Sequence, residues 1–236
     1  LPRPVDARRQ PIWDTAAPAF DQLVRAGVDG DVLVFMPGAY EIMPTIDAIG
    51  DRTAARGWTL LPLYGELPPA EQDRAVRPTS GRKVVVATNV AETSLTVPGI
   101  RYVVDAGLAR VKRYSYRNKV EQLQIENISQ AAANQRAGRC GRVADGICIR
   151  LYDETDFAQR QRFTDPEILR SSLAGVTLRM KALRLGSVEE FPFLEAPPKK
   201  AIADGYALLG ELNAVDEANE LTPIGQALSR LPLDPR

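Results

Sequence analysis

The run ANQRAGRCGR, residues 133–142, sets Arg136, Arg139 and Arg142 three residues apart, with Gly138 and Gly141 between them. A guanidinium keeps its charge near neutral pH, and its planar fork matches phosphate oxygens. Glycine permits close backbone approach, for which a merely solvated basic face has no use. With Gln135 beside them, these residues suit the holding of phosphate. A second candidate is TNVAETS, residues 88–94, which follows an apolar run. Its short hydroxyl and amide side chains, with nearby backbone N–H groups, suit the phosphates of a nucleic-acid backbone. The alternative reading there is ordinary helix capping. A third is the segment 108–127, where Arg110, Lys112, Arg113, Tyr114, Tyr116, Arg117 and Lys119 interleave charge with aromatic rings. Charge tracks phosphates and rings stack on bases; the plainer reading is an exposed amphipathic hairpin.

Composition narrows the chemistry. The 236 residues carry no histidine, which excludes Ser-His-Asp and Cys-His catalysis and any imidazole metal site. The two cysteines, Cys140 and Cys148, make neither a disulfide framework nor a zinc set, and a reduced, cytoplasmic setting is expected. Lys+Arg and Asp+Glu both total 30, so the net charge is silent about partners. The local basic stretch 101–142 marks a candidate nucleic-acid face. No apolar run approaches the roughly 18 residues of a membrane span, so no membrane partner is expected. The chain starts at Leu1 and stops soon after a helical pattern, which reads as a piece of a longer protein.

The elements that must hold these residues follow from patterning. DVLVFMPG (31–38), WTLLPLYG (58–65), RKVVVATN (82–89), RYVVDAG (101–107) and GICIRLYD (146–153) read as strands. Helices are expected near 40–56, 68–76 and 129–138, with Ser129 as N-cap and Gly138 at the end. Strands alternating with helices predict a parallel sheet covered on both faces. The arginine run, following a helix and preceding a strand, is expected at the sheet edge where open α/β folds bind ligands. Residues 1–20 read as an extended lead-in. After about 157 the pattern turns helical, over 164–186, 198–215 and from 221.

These motifs carry a resemblance. QRAGRCGR resembles motif VI of superfamily 2 helicases, VVVATNVAETSLTVPGIRYVVDAG (84–107) their motif V in its DEAH-box form, VLVFMPG their motif IV, and LYGELPP (63–69) the adjoining turn that grips nucleic acid. The stretch from RYSYRNK to LYDETDF is similar to the bacterial HrpA-type DEAH/RHA RNA helicases. The likeness covers nearly the whole chain. It implies an α/β fold: a second RecA-like lobe over 1–157 with an inserted β-hairpin (about 108–127), a small mostly helical winged-helix domain over 158–225, and the start of a ratchet-like helical domain at 226–236. No G-x-x-x-x-G-K-[ST] occurs, so the first lobe, with its phosphate loop, is absent from this sequence.

The resemblance also implies roles. Arg139 and Arg142 would be arginine fingers to ATP in the cleft between lobes, and Gln135 would contact the γ-phosphate and position the attacking water. Ser94, Thr96, Arg136 and Gly138 would lie near the nucleotide. Thr88, Asn89, Gly65, Glu66 and Gly38 would face single-stranded RNA, with Arg113, Tyr114, Tyr116, Arg117 and Lys119 on the hairpin beside its path. ATP and Mg2+ would be held mainly by the missing lobe, and the fragment alone would not hydrolyse ATP. No metal ligand and no oligomer are implied. The chain departs from the family at Val76, where many relatives stack an aromatic on adenine, and at Pro98, where relatives often carry an acidic residue. The alternatives are a nucleic-acid-binding module without enzymatic activity, and a helicase acting on DNA or RNA/DNA hybrids.

Overall fold

The computed structural model describes residues 10–27, 29–93, 95–142, 145–231 and 234–235. Helix α1 (Trp13–Arg25) comes first, then strand β1 (Asp31–Phe35), α2 (Ala39–Gly50), a 3-10 turn at Thr53–Ala55, β2 (Thr59–Leu63), α3 (Pro69–Val76), β3 (Lys83–Ala87), α4 (Val90–Thr93) and β4 (Ile100–Asp105). The hairpin strands β5 (Leu108–Ser115) and β6 (Val120–Asn127), helix α5 (Gln130–Ala137), strand β7 (Ile147–Arg150) and helix α6 (Glu154–Gln159) follow. The remainder is helical: α7 (Glu167–Arg170), α8 (Ala174–Ala182), α9 (Lys199–Glu211) and α10 (Pro223–Leu228).

The sheet runs β2-β3-β1-β4-β7, with every neighbouring pair parallel. Its central strands are nearly continuous apolar runs because both faces are covered. On one face Val32, Val34, Val84, Val86 and Val104 pack against α1 and α2 through Phe20, Leu23, Ile42 and Ile49. On the other, Leu33, Phe35, Val85, Ala87 and Val103 pack with Ala75, Ala91 and Cys140.

Two compact units emerge. The first comprises Leu1–Val111 and Ile125–Thr164; the second comprises Lys112–Gln124 and Asp165–Arg236. The tip of the hairpin therefore groups with the helical unit. In that unit, Leu178, Leu208, Leu209 and Val215 form one cluster, and Leu173, Met180, Val188 and Ile202 form another, onto which Tyr116 packs. An isolated antiparallel bridge joins Val215 to Leu221.

Two expectations about elements need correction. Residues 13–20 are helical rather than extended. Ala16, Ala19, Phe20 and Leu23 fall on one buried face at helical spacing, and that burial carries Pro18 inside the helix. The helix expected over 164–186 is two. Ser171 is extended (φ −109°, ψ 165°), and the Ser172 hydroxyl accepts from the Ala174 amide, which starts a new helix. Residues 1–9 of the expected lead-in and Pro232, Leu233 and Arg236 of the expected terminal segment lie outside the described residues.

Candidate nucleotide and nucleic-acid sites

The segments after β1, β2 and β3 all leave the carboxyl edge of the sheet. Gly38 is buried there, and a side chain on it would press on the Arg110 guanidinium, 3.0 Å away. Gly65 and Glu66 are exposed in the turn after β2. Gln72 Nε2 donates to the carbonyls of Gly65 (3.2 Å) and Leu67 (2.8 Å), so α3 braces that turn. Thr88 is half-buried, its amide donating to the Leu63 carbonyl at 3.1 Å, while Asn89 is exposed at the head of α4. The five lobe residues expected to face RNA thus lie along one edge.

The arginine run does not share that edge, which corrects the sequence expectation. In a parallel sheet, the residues that lead into a strand lie at its amino end. The loop from Gly138 to Gly146 leads into β7, and Arg101, at the start of β4, donates from Nε to the Asp145 carbonyl at 3.0 Å. From there the arginines reach the segment after α4. Arg139 donates to the Glu92 carbonyl and to the Leu95 carbonyl (3.4 Å), and Arg142 to the Thr96 hydroxyl (3.1 Å). Arg142 and Thr96 are exposed, Arg139 is half-buried, and Gln135 is exposed in the last turn of α5. Gly138 closes α5 in right-handed backbone (φ −62°), so no left-handed turn demands a glycine there. Ser94 lies outside the described residues.

Burial, then the neighbouring Arg142, lowers the Arg139 pKa from its usual value, with Glu92 opposing. A guanidinium does not deprotonate in proteins. Burial accounts for most of that direction; the Arg142 contribution reflects a second cation beside it, and a pair of cations attracts an anion such as phosphate. Arg139 and Arg142 suit a phosphate group by charge, and Gln135 and Arg142 by their exposure.

Arg136 does not fit it, and this corrects its expected place beside the nucleotide. Its side chain is 0% exposed. Helical side chains lean towards the helix N-terminus, and Arg136 reaches back to the carboxyl end of β4. There Nη1 donates to Asp105 Oδ1 (2.8 Å) and to the Leu108 carbonyl (3.1 Å), while Nε donates to Glu92 Oε2 (3.0 Å). The guanidinium carbon lies 4.8 Å from the centroid of the Phe35 ring. Asp105, equally buried, also accepts from the Gly107 amide (2.9 Å) and the Tyr152 hydroxyl (3.0 Å). Sequence reasoning passed over Asp105, although an acidic residue ending an apolar strand was its signal.

The hairpin residues are mostly engaged within their own unit. Arg113 pairs with Asp165 (3.2 Å) and Lys119 with Asp204. Tyr116 joins the helical core, its ring 5.9 Å from the Lys200 ammonium. Tyr114 packs edge-on against Tyr116 with centroids 5.2 Å apart, and at 9% exposure it presents no face for a base. That corrects a stacking role for Tyr114. Arg117 is exposed at the turn. Val76 is half-buried beside the second core cluster, and Pro98 is exposed.

Comparisons with known proteins identify the family. The model described as helicase conserved C-terminal domain matches residues 16–144, and the model described as helicase associated domain (HA2), winged-helix, matches residues 207–233. The chain is 54% identical over 248 residues to ATP-dependent RNA helicase HrpA of Escherichia coli (strain K12), a match over 99% of this chain and 19% of that protein. It is 40% identical over 208 residues to probable ATP-dependent RNA helicase DHX34 of Homo sapiens, covering 87% of this chain and 18% of that one. The crystal structure of Escherichia coli DEAH/RHA helicase HrpB superposes with a TM-score of 0.87 at 35% identity, over 98% of this chain and 29% of that chain. The chain therefore spans about a fifth of the length of these two sequence relatives. The first family model covers more than half of the chain, and the motifs it spans are those that place the arginines against the segment after α4: the chain belongs to the helicase conserved C-terminal domain family, as a C-terminal region of the HrpA-like DEAH-box kind.

Proposed function

We propose that this chain is the second motor lobe, with its helical companion, of an ATP-dependent RNA helicase. In this reading residues 1–157 are the lobe, 158–225 the winged-helix domain, and 226–236 the start of a further helical domain. The observation that carries it is the placement of Arg139 and Arg142 on the segment after α4, Arg142 3.1 Å from Thr96. Two cations on one loop, Arg142 exposed and Arg139 half-buried, can meet the charge that builds on a transferred phosphoryl group. ATP and Mg2+ would be held mainly by a first lobe elsewhere in the protein, and the metal would neutralise charge on the phosphates. Gln135 would orient the attacking water. The carboxyl-edge residues Gly38, Gly65, Glu66, Thr88 and Asn89 would grip single-stranded RNA, and Arg117 on the hairpin would contact it as well. Glu66 repels phosphate, so any grip at that turn uses backbone N–H groups. The expected setting is cytoplasmic.

The test is ATP hydrolysis by the full-length protein, with and without single-stranded RNA, beside Arg142→Ala. The expected result is RNA-stimulated hydrolysis that falls by about 10³-fold or more in the variant while ATP still binds. Unchanged turnover in the variant would show the finger to be elsewhere. Absence of any hydrolysis in the wild type would favour a nucleic-acid-binding module, and preferential stimulation by DNA would favour a DNA-directed motor.

A further inference from the structure

Arg136 joins three elements with one rigid group. Its fork holds Glu92 on α4, Asp105 at the end of β4 and the Leu108 carbonyl at the first residue of β5. The far side of the same junction is equally tied. Arg160 Nη1 donates to the Gly107 carbonyl at 2.8 Å, and the Ile128 amide donates to that same carbonyl at 3.0 Å, where the returning strand closes the hairpin root. Gly107 has φ +71°, and a side chain there would strike the Tyr152 ring and stand 2.9 Å from Arg160 Nη1. The root is therefore packed without slack. At the other end, the Glu92 backbone carbonyl accepts from Arg139. Glu92 thus touches Arg139, the proposed finger, through its main chain and the hairpin root, by way of Arg136, through its side chain.

We propose that Arg136 is a positioning residue: it links α4 to the root of the β5–β6 hairpin, so that a displacement of α4 on the nucleotide side moves the strand that leads to the hairpin tip. The inference rests on the motor-lobe reading and adds to it a specific route between hydrolysis and hairpin. Three features support the route. The guanidinium is inaccessible to any ligand, so its charge serves the fold alone. Its partners lie on three separate elements rather than on one. And α4 is a single helical turn, an element small enough to shift as a body.

The test uses the full-length helicase carrying Glu92→Ala, which removes the arm on α4 and leaves the Asp105 and Leu108 contacts of Arg136 in place. Two rates are read: RNA-stimulated ATP hydrolysis, with its KM for ATP, and unwinding of a tailed RNA duplex. The expected result is hydrolysis within about threefold of wild type at unchanged KM, with unwinding slower by about tenfold, the size of coupling change that a single link in such a network carries. Arg136→Lys is the second variant. An ammonium keeps the buried charge beside Asp105 but lacks the planar fork that spans three partners, and the same split is expected. Hydrolysis and unwinding falling in parallel with a raised KM for ATP would overturn the inference, because Arg136 would then serve the nucleotide. Unwinding per ATP equal to wild type in both variants would overturn it too, because the link would carry nothing. A wild-type protein with no RNA-stimulated hydrolysis fails differently: it removes the motor-lobe reading itself.

Discussion

Gly146→Ala tests whether the arginine loop must sit where it does. Gly146 has no positive φ, so alanine suits its backbone; the obstacle is space. A methyl on it would stand 2.7 Å from the Arg101 carbonyl oxygen and closer still to that of Cys140. Both obstacles are main chain and cannot rotate away. To reach ordinary carbon contact distance, the loop must retreat from β4 by roughly an ångström. Strain of that kind typically costs about 1–3 kcal/mol of stability. A misplacement of about 1 Å in a catalytic group can cost about 10²-fold in rate. The expected variant therefore folds, melts earlier, and hydrolyses ATP about a hundredfold more slowly in the full-length enzyme. Its affinity for single-stranded RNA, read by fluorescence anisotropy, should hold, because the residues proposed to grip RNA line the opposite edge of the sheet. Full hydrolysis at an unchanged melting temperature would refute the reasoning, since the loop would then have tolerated the methyl without moving Arg142. Lost RNA binding alongside lost hydrolysis would refute it in another way, by showing that the two edges are not independent.

Lys83 is fully buried and donates from Nζ to the carbonyls of Ala75 (2.9 Å) and Arg77 (2.6 Å), closing the end of α3. Lys83→Met should cost about 1–3 kcal/mol in a urea melt by stranding those acceptors, and an unchanged midpoint would sink that account. Burial first, and the Asp105 charge second, push the Cys148 thiol up to about 12 from 9.0. Between those values the unfolded chain gives up a proton that the native chain keeps, so this thiol's contribution to stability falls as pH rises. Cys148→Ala should flatten part of that decline in melts stepped across the window; an identical slope would count against it. Neither cysteine should react quickly with a thiol reagent in the native state, since burial raises both pKa values; rapid labelling before unfolding would contradict this.

The strands of the sheet were legible because DVLVF and KVVVA are nearly continuous apolar runs, the mark of strands buried on both faces. Their order was not, since nothing in either run says that β3 lies between β1 and β2. Helix α1 hid behind its prolines, although the spacing of Ala16, Ala19, Phe20 and Leu23 held the signal. The phosphate chemistry proposed for Arg139 and Arg142 rests on residue type and spacing. The different fate of Arg136 could not be read there, because its partners Glu92 and Asp105 lie 44 and 31 residues away. The same holds on the hairpin, where Asp165 and Asp204 claim Arg113 and Lys119 across 52 and 85 residues. A cation in sequence looks like an offer to nucleic acid until the fold brings its carboxylate.

The hairpin begins and ends in one compact unit and spends its tip in the other. The helical unit is therefore discontinuous, and a cut at one point in the chain cannot release it whole. Residues 165–236 on their own would keep their helices but leave Asp204 without Lys119 and the Leu173 cluster without the Tyr116 ring. For inheritance, the consequence is that a single genetic crossover cannot transplant this helical unit onto another sheet lobe. It would travel intact only with the hairpin, and so with the root that Arg136 and Asp105 hold in the sheet lobe.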